Sequence, residues 1–257
     1  MMDIEFSWQE LLRLLLAFSF LVLMLALSRF RKLELERDIL VAVTRMAVQL
    51  GLLGLVVFFV FSLQGAFIFL LLAAMVLGAA HISSQRTLVQ LRARGFQVSF
   101  IAIGVTSLVV IGSALALGVM DWSADFIVPL GGMVIGNSML RCGIAYERLA
   151  SEFENNRAEL ESYLSLGASP DIAAEPLARS SLRAAIYPSL DNLKASGIVW
   201  IPGLMAGMIL AGADPLWAAE VQVIIMLMLH SGAMLTAILA TQLIIPDFFN
   251  QRQQLRF

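Results

Sequence analysis

The sequence predicts an all-α, polytopic integral membrane protein of about seven transmembrane helices with a cytoplasmic helical elbow, and three observations carry that fold class. First, 60% of the 257 residues are apolar, only 14% are charged and the mean hydropathy is +0.86, outside the range of soluble domains. Second, apolar runs of spanning length recur along the chain. A ~30 Å hydrocarbon layer and a helical rise of ~1.5 Å per residue leave room for about six to eight spans. Third, all 17 Lys and Arg except Arg13 and Arg45 fall in segments that alternate topology places on one side of the membrane.

Taken in order, the spans are expected at Leu11–Ser28, Ile39–Ser62, Ala66–Ile82, Val98–Met120, Phe126–Tyr146, Ala195–Gly212 and Pro215–Ile245. Met1–Glu10 carries Asp3, Glu5 and Glu10 instead of a basic leader, so the first apolar run is expected to remain as a span. Only Leu63, Gln64 and Gly65 separate the second and third runs, as in a tight helical hairpin. The loops 28–38 and 83–97, the interval after span five (with Arg141 near its start) and the tail hold the basic residues. The other side, with Asp3, Glu5, Glu10, Asp121, Asp125 and Asp214, has no basic loop residue. The positive-inside rule then predicts an outside N-terminus, a cytoplasmic C-terminus and an odd number of spans. Trp8, Trp122 and Trp217 at the outer ends agree with an interfacial aromatic belt.

The long polar interval reads as two surface helices. Leu149, Phe153, Leu160 and Leu164 recur at helical spacing over Glu147–Leu166. Gly167 suits a helix C-terminus that needs positive φ, and Ser169 followed by Pro170 reads as the start of a second helix. Helix, tight turn, helix makes an elbow fit to dock on a soluble partner that moves.

Polar groups at membrane depth are few. Arg45, with Gln49 one turn on, either lines a cavity or snorkels to the interface. Arg13 snorkels outward and His81 lies at the interface. Asn137 reads as interhelical hydrogen-bond glue, and Gly132/Gly136 and Gly203/Gly207 as small-residue packing pairs. Pro202–Gly203 interrupts the short sixth span, a feature tolerated where the freed backbone is buried or lines a cavity, and so a pointer to a transport pathway. The methionines of spans five to seven fill gaps in apolar helices or, on a rival reading, relay a soft metal. Asp121, Asp125 and Asp214 either gather hard cations at an outer mouth or, for Asp214, cap span seven. Cys142 stands alone, so no internal disulfide forms. There is no G-x-x-x-x-G-K-[ST] and no H-E-x-x-H, the run at Gly136–Met139 is not G-x-S-x-G, and no nucleic-acid pattern occurs.

ESYLSLGASP resembles the cytoplasmic coupling motif of ABC-transporter permeases: Glu161 and Gly167 keep its spacing, while Ser162 and Tyr163 replace two alanines. The motif's downstream Pro is displaced, Pro188 being the nearest of its kind. With LERDIL around Asp38, GMVIGNSM at Gly132–Met139, SLGAS at Ser165–Ser169 and PGLMAGMILAGADP at Pro202–Pro215, the whole chain resembles the FetB (YbbM-like) permease family, implicated in bacterial iron export, with plant relatives tied to aluminium tolerance. That resemblance implies an inner-membrane homodimer without an ATPase site of its own, driven by a separate ATP-binding subunit that holds ATP and Mg and receives Glu161, Leu164, Gly167, Ala168 and Ser169. Arg45, Gln49, Asn137, Pro202 and Gly203 are the pathway candidates; the metal ligands and the cargo stay open. An ion-gradient transporter, a permease for a non-metal solute and a scaffold without cargo are the rival classes. ATPase stimulation on co-reconstitution separates coupled from uncoupled readings.

Overall fold

The structure, a computed structural model, describes residues 8–62, 66–119 and 122–256, apart from the side chains at 8–11, 14–15, 55–62, 66 and 125. Helices carry the architecture of these residues, and the chain divides into two compact units, 1–63 and 64–257. The first unit holds α1 (Trp8–Phe30) and α2 (Glu36–Ser62). Their turn is tied by buried Ser28, whose Oγ donates to Glu36 Oε1 at 3.0 Å and accepts from the Leu35 N–H at 3.2 Å. The hairpin expected at Leu63–Gly65 lies outside the described residues.

The second unit holds α3 (Ala66–Ser84), a 3-10 turn at Val89–Leu91, α4 (Arg92–Ala116), α5 (Ala124–Asn155), α6 (Arg157–Ser165), α7 (Pro170–Ala195), α8 (Gly203–Leu210), α9 (Pro215–Ile244) and a closing 3-10 turn at Ile245–Phe248. Four segments among the described residues are long and apolar enough to cross a membrane: Phe67–Ser84, Val89–Ala116, Phe126–Asn155 and Pro215–Phe248. α5 is the hub, packed against α3, α4, α7 and α9. Its small residues let the neighbours close in. A Cβ added at Gly132 would meet the Met75 methyl of α3 at 2.8 Å. One added at Gly232 of α9 would stand 3.1 Å from Val110 and 3.3 Å from Thr106 of α4.

Two expectations change. α5 does not stop at Tyr146 but runs to Asn155, because Leu149 and Phe153 carry its buried stripe about two turns further and seat it on the end of α9. Only α6, after a break at Asn156, is a separate surface helix. The sixth interval is not one helix either. α7 ends at Ala195, residues 196–202 form an irregular turn with Gly197 at φ +82°, and α8 has 8 residues, a rise of only ~12 Å.

That interval is a broken element laid along α9. Leu193 at the end of α7, Pro202 and Met205 share one cavity wall with Gln222 and Met226 of α9. From there α8 leads back to Gly212, whose φ of +94° closes it just before α9 begins. The irregular turn therefore falls well along the length of α9, away from either helix end.

Candidate functional site

The elbow forms as a left-handed helix stop followed at once by a new start. At the end of α6 the Gly167 N–H donates to the Leu164 carbonyl at 3.0 Å and the Ala168 N–H to the Tyr163 carbonyl at 3.1 Å. This pattern requires a left-handed residue at Gly167, and its φ is +91°. Ser169 is extended and Pro170 opens α7, though the serine hydroxyl makes no capping bond. Glu161 pairs with Arg157 at 2.8 Å, an exposed contact worth about 0–1 kcal/mol, so its acidity is available to a partner at small cost.

Base and tip of the elbow differ sharply. At the base, Leu160 of α6 and Ala173, Ala174 and Leu177 of α7 are buried in one cluster with Tyr146, Leu149 and Phe153 of α5, Ala240 and Ile244 of α9, and Phe248 and Phe249. Leu164 packs on its edge. Glu152 adds a polar tie, accepting from Ser180 Oγ of α7 at 2.8 Å and from Asn156 Nδ2 at 3.0 Å. At the tip, Leu166 is 85% and Ile172 66% exposed. The two side chains flank the turn at Gly167.

The pathway candidates fall in both units. Arg45 and Gln49 lie one turn apart on exposed positions of α2 in the first unit. Asn137 donates to the Met133 carbonyl of its own helix at 3.0 Å. Gly136, Gly203 and Gly207 have no neighbour within 4 Å of a built Cβ among the described residues, whereas Gly132 packs on Met75. Pro202 and Gly203 start α8, where sequence reasoning missed the decisive partner. Gln222, only 7% exposed, accepts from the Met205 N–H at 3.2 Å and so takes up one of the bonds that the helix break leaves open. Gln222→Leu should cost about 1–3 kcal/mol by stranding that N–H. It should also speed hydrogen exchange at the Met205 amide, and unchanged exchange there would rule the tie out.

The other expected groups divide. Met133, Met208 and Met228 do meet, around an apolar cavity of about 370 Å³ with Leu204 and Trp217, which suits gap-filling as well as a soft ligand. Asp214 Oδ1 accepts from the Leu216 and Trp217 N–H groups at 2.9 and 3.0 Å, so it caps α9. Asp121 and the side chain of Asp125 lie outside the described residues. His81 is exposed in the last turn of α3, and the described residues contain no group of three or more His, Cys, Asp or Glu that could hold a metal.

Arg141 is the largest surprise. It is not at the start of a polar interval but within α5 and only 6% exposed, and no hydrogen bond or ion pair joins it to another described residue. The sequence signal was present, a lone Arg three residues after Ser138 in a small-residue run, but the polar residues that follow made it read as a loop charge.

Apolar helices of spanning length, with a broken element laid along α9, define a multi-pass helical membrane protein. Residues 11–249 match the family described as uncharacterised protein family UPF0014, and the chain belongs to it. It is 37% identical over 246 residues to the Probable iron export permease protein FetB of Escherichia coli K12, covering 94% of this chain and 93% of that one. It is also similar to the UPF0014 membrane protein STAR2 of rice (33% identity; 96% and 88% covered) and to the Protein ALUMINUM SENSITIVE 3 of Arabidopsis thaliana (30%; 93% and 88%). No solved structure matches.

Proposed function

We propose that this protein is the membrane-spanning permease subunit of an ABC transporter, exporting iron or another metal ion with ATP hydrolysed on a separate, Mg-dependent subunit. The observation that carries the reading is the elbow: an apolar tip at Leu166 and Ile172 on a base that shares one core with α5, α7 and α9. A partner that seats the tip pushes directly on the helices that would have to move. The name of the Escherichia coli relative supports the cargo class.

In this reading the chain crosses the bacterial inner membrane seven times, the broken interval 195–212 making the sixth crossing, with the N-terminus outside and the elbow and C-terminus cytoplasmic. The one-sided basic residues support that orientation. The permease works as a homodimer, and the open faces at Gly203 and Gly207 allow close approach of a second copy. This chain performs no hydrolysis. Closure of the ATPase pair moves the elbows, and α5 and α9 tilt with them to alternate access.

Gly167→Val tests the reading. A β-branched residue at φ +91° is strained by about 1–3 kcal/mol, and the turn should open. With the ATP-binding subunit co-reconstituted, the variant should insert normally yet lose permease-stimulated ATP hydrolysis and metal export. Wild-type stimulation by a well-expressed Gly167→Val protein would refute the elbow as the coupling element.

A further inference from the structure

Beyond α9 the chain folds back toward the elbow. Phe249 and Leu255 pair as an isolated antiparallel bridge, the Asn250 N–H donates to the Gln254 carbonyl at 2.8 Å, and the Arg256 N–H donates to the Phe248 carbonyl at 3.0 Å. Asn250 holds this turn together, its Oδ1 accepting from the Arg252 and Gln254 N–H groups at 2.8 and 3.0 Å. Gln253 takes φ +58°, a left-handed conformation that a residue other than glycine keeps only where its surroundings enforce it. Leu255 packs on the edge of the core at the base of the elbow, as does Leu164 of α6. The turn is thus a built element seated on the same core as the elbow.

Between the turn and α6 lies one open cavity of about 560 Å³, lined by Arg157, Glu161 and Leu164 of α6 and by Arg252, Gln253 and Leu255 of the turn. Arg157 and Glu161 pair with each other at 2.8 Å and cancel. Among the described residues no ion pair joins Arg252 to a carboxylate, so the cavity keeps one uncompensated positive charge. A planar guanidinium beside the Gln253 amide offers donors that match a carboxylate. α5 runs on from Tyr146 to Asn155 before α6 begins, ~13 Å of helix, which exceeds a headgroup layer of ~5–8 Å and favours a soluble partner over a lipid. The exposed tip residue Leu166 follows Leu164 by two positions, so a partner that covers the tip also reaches the cavity. Resting on the coupling reading, we infer that this turn is a second contact for the ATP-binding subunit: an acidic side chain of that subunit enters the cavity and pairs with Arg252, and Asn250 holds the turn in the shape that receives it. The tip supplies apolar area, while the charge pair fixes the orientation in which the subunit seats.

The test measures association of the full chain, in phosphatidylcholine nanodiscs, with the purified ATP-binding subunit at low and at physiological salt. Wild-type affinity should fall as salt rises, because the pair at the cavity is open to solvent. At low salt Arg252→Glu should weaken association roughly tenfold and Arg252→Gln roughly threefold, with a shallower salt dependence, while Arg252→Lys keeps most of it. Asn250→Ala leaves every charge in place but loosens the turn, and should fall between Arg252→Lys and Arg252→Glu. Arg252 is exposed, so thermal unfolding of the permease alone should not move in its variants. Wild-type affinity and salt dependence in Arg252→Glu would overturn the inference while the elbow reading stands. An effect seen only with phosphatidylglycerol in the disc would assign Arg252 to a lipid headgroup and overturn it too. A wild-type chain that does not associate at either salt refutes the elbow reading itself, and this inference with it.

Discussion

Replacing Leu166 and Ile172 together by Asp is expected to abolish association with the ATP-binding subunit. Each side chain projects from the elbow tip with most of its surface in water, and burying it against a partner should contribute about 1.5–3 kcal/mol. Losing both weakens binding by roughly 10²- to 10⁴-fold, before the cost of placing two carboxylates in an apolar seat is added. The same exposure makes the folded chain indifferent to the change, so its own stability should move by no more than about 0.5 kcal/mol. Quantitative copurification of the two subunits, beside a thermal unfolding curve of the permease alone, separates binding from folding. Retained association at wild-type strength would mean that the tip is not the contact.

The second large effect lies at the other end of the elbow. Phe153→Ala should destabilise the second unit by about 3–5 kcal/mol, since this ring is 1% exposed and sits 4.2 Å from Phe248 and 5.8 Å from Phe249. Its removal opens a void where α5, α6, α7 and the end of α9 share one core. The expected phenotype is the converse of the first. The tip still binds its partner, but ATP hydrolysis no longer responds to cargo, because the elbow can shift without carrying α5 along. Phe153→Leu fills most of the void and should restore much of both. A loss below about 1 kcal/mol in Phe153→Ala would show that the junction is not tightly packed.

What the sequence by itself determined is whatever depends on composition or on one residue's backbone. The membrane class follows from the apolar fraction, and helix ends follow from Gly167, Pro170 and Asp214, each of which acts within its own turn. Hydropathy also located the broken sixth element, because Pro202 and Gly203 mark it locally. Local pattern ended α5 too early, since Glu147 and Arg148 look like the close of a span while the contacts that extend the helix come from Phe248 and Phe249, about a hundred residues away. The same holds for the interior. Whether Arg141 faces water or protein, which N–H Gln222 meets, and that Thr106, Ser138 and Thr236 are each buried are set by how α4, α5 and α9 rotate against one another. Rotation about a helix axis is fixed by packing small residues such as Gly232 against distant neighbours. In an almost uniformly apolar helix no amphipathic stripe records it in advance, so only the tertiary structure could decide which polar groups were buried together.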